Sequence, residues 1–170
     1  VPARGDLKQV RLPCQTISAE AFRPFGDLIE PTGDGRPFGP DDADLELGRG
    51  RPRLYIMTLE SRGLAFAAIT RHRLVTQCLA AMGGMDWLLA VAPPGDPDDP
   101  DGRPDPRAIA AFRIPGSVAI KPHRGTWHAG PYFTAPQVDF LNLELSDTNQ
   151  ADHDTCHLDR AFGIRMTLVP

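Results

Sequence analysis

Lys121-Pro122-His123-Arg124-Gly125-Thr126-Trp127-His128-Ala129-Gly130-Pro131 sets two histidines, an arginine, a lysine, a threonine and a tryptophan among two glycines and two prolines. Proline removes an amide donor and glycine weakens helices, so the segment cannot be a long helix. It reads as a strand end that runs into a sharp turn and out again. Polar and titratable groups this dense beside a large aromatic point to an anion-binding acid/base site at the mouth of a β-barrel. The competing reading is a basic surface turn.

The flanking chain is read as strands. Gln137 to Leu145 alternates, with Val138, Phe140, Asn142 and Glu144 on one face and Asp139, Leu141, Leu143 and Leu145 on the other. Upstream, Trp87 to Ala92 is the most apolar run, and Arg53 to Leu59, Leu64 to His72 and Val75 to Leu79 carry strand signals. Near the start, 9–16 reads as an edge strand because it contains Pro13. Ser18 is placed to cap a brief helix through Phe22, with Ile17 and Phe22 as a hydrophobic staple. Residues 31–53 read as a loop or covering insertion. Residues 93–106, with five Asp and six Pro, read as a solvated hairpin tip, because prolines interrupt any calcium-loop spacing and no Glu closes it.

Eighteen prolines and 16 glycines favour short elements joined by turns. Many short strands and one or two short helices define an all-β fold, a double-sheet barrel of the jelly-roll or cupin type. The expected organisation is one domain over 1–170, with its core at about 9–145 and 146–170 as a tail ending in a strand. A net charge of -4 argues against non-specific nucleic-acid binding. No apolar run reaches the ~20 residues of a membrane span. Cys14, Cys78 and Cys156 are odd in number and widely spaced, and no secretory leader is visible; the expectation is a cytoplasmic protein.

Candidate chemistry gathers on a few residues. His123 and His128 are an odd number of positions apart, which on a straight strand would oppose them, but a kink at Gly125 permits both to turn inward. Trp127 is either a pocket wall or core. Arg124 and Lys121 are candidate carboxylate clamps. Glu144, on the apolar parity of its strand, would be a half-buried base or ligand. His72, with Thr76 and Gln77, forms a second cluster. The HxH of a typical cupin metal site is missing, although a set drawn from His72, His123, His128 and Glu144 remains possible on ligand type. His153 and His157 read as solvated tail residues. No GxSxG, P-loop or strand-following GxGxxG occurs, which leaves nucleotide and serine-hydrolase readings without support.

Several motifs together resemble the ureidoglycolate lyase family of allantoin degradation, which is built on a cupin-like barrel. Glu20-Ala21-Phe22-Arg23-Pro24-Phe25-Gly26-Asp27-Leu28-Ile29-Glu30 is similar to the family's opening EAFxxFGDxIE. Arg71-His72 through Gln77 resembles its RHPxxxQ element, with Arg73 at the proline. His123-Arg124-Gly125-Thr126-Trp127-His128 matches HRGxWH, and Asp139-Phe140-Leu141 matches DFL. There are departures. Ala129 follows His128 where the family has a further histidine, Glu144 stands where an aspartate is usual, and 31–53 lacks the family's Asn-Gly and Arg-Tyr-His features.

The resemblance implies a carbon–nitrogen lyase that splits (S)-ureidoglycolate into glyoxylate and urea. It implies a homodimer and assistance from a divalent metal, nickel. His123, His128 and Glu144 would then be catalytic, and Arg124, Lys121, Gln77, Trp127 and Thr126 would contact a small carboxylate substrate. The departures leave two alternatives: a same-fold enzyme acting on another hydroxy- or oxo-carboxylate adduct, or a non-catalytic ligand-binding cupin.

Overall fold

The computed structural model describes residues 7–170. Thirteen strands form two curled sheets that face each other. The small sheet contains β2 (Gly26–Ile29), β3 (Pro52–Glu60), β6 (Cys78–Ala81), β9 (Ala119–Pro122) and β11 (Gln137–Leu145), in the order β2-β9-β6-β11-β3. The large sheet contains β1 (Lys8–Thr16), β4 (Ala65–Phe66), β5 (Ala68–Arg71), β7 (Gly84–Ala92), β8 (Ala110–Gly116), β10 (Trp127–Tyr132), β12 (Asp154–His157) and β13 (Ile164–Val169). Its order is β12-β5-β10-β7-β8-β1-β13-β4. The helices are single turns: α1 (Ala19–Phe22), α2 (Thr148–Ala151) and α3 (Leu158–Phe162). The chain is thus an all-β, cupin-like double sheet.

Two apolar clusters follow from strand alternation. Trp87, Leu89 and Val91 of β7 point between the sheets, where they meet Phe112, Ile114, Ile120, Val138 and Phe140. Leu88, Ala90 and Ala92 point the other way, to Ile69, Trp127, Leu158 and Met166. Burial on both faces explains why β7 is the most apolar run. Between the sheets, Phe22 and Phe25 each meet Phe112 nearly edge-on, at centroid distances of 5.4 and 5.8 Å. Such pairs add ~0.5–1.5 kcal/mol each beyond the area they bury. Ser18 caps α1 by accepting from the Ala21 amide at 3.2 Å, and Ile17 and Phe22 share the inter-sheet cluster.

Three features differ from the sequence reading. First, β1 lies inside the large sheet. It pairs with β13 over 8–13 and with β8 over 14–16, so each half has one laddered side and Pro13 sits where the partner changes. Second, the segment after Leu145 is part of the body of the fold: β12 pairs with β5, and β13 pairs with β1 and β4. Third, residues 93–106 are tied down. The buried Arg71 donates to the Asp99 carbonyl at 2.7 Å, Arg73 donates to the Pro97 carbonyl at 3.3 Å, and Pro104 is buried. The prolines make this loop stiff, and one buried and one half-buried guanidinium use its carbonyls as acceptors.

Candidate functional site

The opening motif is the crossing from one sheet to the other. β9 ends at Pro122 in the small sheet and β10 starts at Trp127 in the large one. Gly125 makes the turn at φ +79, a region that favours glycine, and its amide donates to the His72 carbonyl at 2.6 Å. A side chain there would also press on Pro97, 2.9 Å from the position of a Cβ.

Register then decides which groups reach the interior. His128 pairs with Val91 and so faces the space between the sheets; its neighbours Trp127 and Ala129 pair with Ala92 and Ala90 and face the other cluster. Thr70, opposite His128 on β5, shares the inner face. On the small sheet the inner face carries Val138, Phe140, Asn142 and Glu144 of β11, with Tyr55, Met57 and Leu59 of β3 opposite them. Towards one end the apolar side chains give way to polar ones. There lies a cavity of about 650 Å³ whose lining includes Thr70, His72, Gln77, His128, Asn149 and His153.

The imidazoles are held in defined tautomers. His128 Nδ1 lies 3.2 Å from the Thr126 carbonyl and His72 Nδ1 lies 2.5 Å from the Asp152 carbonyl. A carbonyl only accepts, so each Nδ1 carries the proton and each Nε2 keeps a lone pair. The ring centroids are 5.2 Å apart, and His153 stands edge-on to His72 at 5.5 Å. Burial lowers the pKa of both. His128 is pushed down to about 3 by desolvation and then by the neighbouring His72, while His72 is lowered by desolvation. Both rings are therefore neutral near pH 7.

A closed polar ring stands beside them. Gln77 Nε2 donates to Asn142 Oδ1 at 3.1 Å and to Glu144 Oε2 at 3.0 Å. Asn142 Nδ2 donates to Tyr55 at 3.0 Å, and Tyr55 Oη donates to Glu144 Oε1 at 3.2 Å. Asn149 Nδ2 adds a third donor to Glu144, at 3.3 Å. An acceptor with three donors around it dictates every amide orientation in the ring. Gln77 thus spends its amide group on the ring and keeps its carbonyl for the cavity.

The other expected site residues lie off this cavity. His123 Nε2 donates to the Arg23 carbonyl at 3.0 Å, and the ring borders only a gap of about 10 Å³ next to His72, Gln77 and His128. Glu144 is buried and reaches the cavity wall through Gln77. Lys121 is buried in an ion pair with Asp27 at 2.6 Å. Arg124 pairs with Glu46 at 3.3 Å and Asp98 at 3.8 Å, on the turn and its covering loops. Trp127 is core, with Arg71 stacked 4.6 Å above its ring. Thr126 donates to the Phe25 carbonyl at 2.8 Å and is buried. His153 was hidden in a polar tail, and Arg62, Tyr55 and Asn149 carried no motif. Only the inward parity of Tyr55 on β3 offered a signal.

The metal implied by the resemblance finds two imidazoles whose Nδ1 atoms are bonded to carbonyls, the arrangement that metal-binding histidines use. Among the described residues, however, no three His, Cys, Asp or Glu side chains come together to hold an ion. Glu144 already faces three donors. This donor set does not make a closed metal site, and no chemical step is assigned to a metal below. Among the described residues no helix is long and apolar enough to cross a membrane.

A curled all-β double sheet with a cavity between the sheets, bordered by His72, His128 and His153, defines a cupin-like barrel. The family model described as ureidoglycolate lyase matches residues 9–165, and the chain belongs to that family. It is 27% identical over 148 residues to a ureidoglycolate lyase of Pseudomonas syringae pv. syringae strain B728a, covering 80% of this chain and 84% of that protein. A ureidoglycolate lyase of Pseudomonas fluorescens strain SBW25 is 28% identical over 169 residues, covering 92% of this chain and 95% of the other. One from Stutzerimonas stutzeri strain A1501 is 28% identical over 155 residues, covering 79% and 83%.

Proposed function

We propose that this protein is a ureidoglycolate lyase that cleaves (S)-ureidoglycolate to glyoxylate and urea. The observation that carries this reading is the pair His72 and His128, neutral and with bare Nε2 atoms, in a cavity of a chain that belongs to this family. The reaction is a retro-addition at a hemiaminal carbon. A base takes the hydroxyl proton, the oxygen's electrons form the aldehyde C=O, the C–N bond breaks, and its electron pair takes a proton to complete urea.

An Nε2 lone pair is the acceptor this chemistry needs. His128 Nε2 takes the hydroxyl proton, and the imidazolium so formed returns it to the departing nitrogen attached to the same carbon. His72, 5.2 Å away, is the second neutral imidazole and accepts a hydrogen bond from the substrate. The Gln77 carbonyl, held outward by Asn142 and Glu144, accepts N–H groups of the ureido end. Glu144 has no direct place on the substrate; it is a positioning residue acting through Gln77.

The reading includes allantoin breakdown as its setting, a cytoplasmic location and a homodimer. The dimer is supported by an apolar outer face on the small sheet, where Leu54, Ile56 and Leu141 are exposed beside the free edge of β3. The function is tested by release of urea and glyoxylate from (S)-ureidoglycolate.

A further inference from the structure

We propose that Arg62, at the rim of the cavity, is the residue that grips the substrate carboxylate. The inference rests on the lyase reading, whose substrate is a small carboxylate. Any such substrate needs a cation, because a carboxylate moved out of water without one is costly. Two cations of the opening motif are committed elsewhere: Lys121 to Asp27, across β9 and the edge strand β2, and Arg124 to Glu46 and Asp98. Neither lines the cavity. Among the described residues, Arg62 is the only lysine or arginine that does.

Its surroundings suit the task. Arg62 lies two residues past the end of β3 and enters no ion pair among the described residues, so its guanidinium is available. Glu60, which also lines the cavity, is not paired with it. The guanidinium lies 5.4 Å from the centroid of the Tyr132 ring. Tyr132 is buried and stacked on Phe66 at 5.9 Å, so the platform under the guanidinium is rigid. A planar guanidinium offers two parallel N–H groups to a carboxylate. A register shift between Ala129 and Tyr132 turns the Tyr132 ring towards the outer cluster, yet Tyr132, Arg62, His128 and Gln77 all border the one cavity. A substrate held at Arg62 by its carboxylate would share this cavity with the His128 and Gln77 side chains. Sequence motifs could not reveal this residue, because it sits in a Ser-Arg-Gly turn with no pattern around it.

The test measures calorimetric binding of glyoxylate, with urea as the uncharged comparator, to the whole chain and to Arg62→Gln, Arg62→Lys and Arg124→Gln. Loss of a charge-assisted contact predicts ~10–100-fold weaker glyoxylate binding in Arg62→Gln, an intermediate loss in Arg62→Lys, and a change within about threefold in Arg124→Gln. Urea binding should be unmoved in all three. Near-unchanged glyoxylate affinity in Arg62→Gln overturns the assignment, as does an equal or larger loss in Arg124→Gln. So does an unsubstituted chain that binds no glyoxylate. Turnover is scored separately: a protein that binds glyoxylate through Arg62 yet releases no urea from ureidoglycolate keeps this site and loses the lyase reading.

Discussion

His72 and His128 face each other at 5.2 Å, and each has its Nδ1 bonded to a main-chain carbonyl, of Asp152 and Thr126 respectively. The backbone thus sets both tautomers and turns two lone pairs towards one cavity. If His128 transfers the proton in the rate-limiting step, His128→Asn lowers kcat by ~10²–10⁴-fold. His72→Asn, which removes a hydrogen-bond acceptor, costs about tenfold or more by the same reasoning. His123→Asn leaves kcat within a few-fold, since His123 is bonded to the Arg23 carbonyl outside the cavity. Steady-state kinetics of the three variants check this, and a loss largest in His123→Asn would reverse the assignment.

Acid sensitivity should have a definite sign. His128 has its pKa pushed down to about 3 in the folded protein, against an ordinary value near 6.5 once unfolded. Between those values the unfolded chain binds the proton that the folded chain refuses. The stability associated with neutral His128 is therefore fully present above pH 6.5 and lost as pH falls towards 3. Its slope is at most about 1.4 kcal/mol per pH unit. Urea denaturation at pH 7 and pH 5 measures it, and His128→Asn should flatten the dependence. Equal stability at both pH values would show that His128 is not held neutral by burial.

Glu144→Gln tests the polar ring. Glu144 accepts from Tyr55, Gln77 and Asn149, and an amide can offer only its single oxygen to those donors. A buried donor left without a partner costs ~1–3 kcal/mol. The variant should be destabilised by about that amount and should lose activity through a higher KM as the Gln77 carbonyl loses its fixed direction. Denaturation midpoints and KM measured together separate this from simple unfolding.

The loop at 93–106 should resist removal. A short Gly-Ser replacement changes closure entropy by only ~1 kcal/mol. It would also strip the buried Arg71 of its bond to the Asp99 carbonyl, and hydrogen bonds to charged groups are worth ~1.5–3 kcal/mol. A thermal melt should show the larger loss; a change of 1 kcal/mol or less would mean that the loop is dispensable.

Strand periodicity was the most legible feature of this sequence. The alternation of Gln137 to Leu145 matches the burial of β11 as far as Asn142, and the inward parity of Asn142 and Glu144 is observed, although Leu145 at the end of the strand is buried as well. The Ser18 cap and the turn at Gly125 were also readable, because both depend on local backbone chemistry. The site was readable only in outline. His123 and His128 sit in one motif but leave it in different sheets, so closeness along the chain did not mean a shared cavity. Arg62, His153 and Asn149 reach the site from turns and from the last third of the chain, and non-local pairing of that kind leaves no local pattern. The role of β1 was obscured because Pro13 signals an edge, whereas here it marks a change of partner.

The central claim is tested most directly by incubating the purified chain with (S)-ureidoglycolate and measuring urea and glyoxylate together, with and without added divalent metal. The account predicts equimolar release of both products, abolished or strongly reduced in His128→Asn, and no requirement for metal in chelator-treated protein. No urea release from folded protein under either condition would contradict the lyase reading. Activity that depends wholly on added metal would contradict the proton-transfer roles given to His72 and His128.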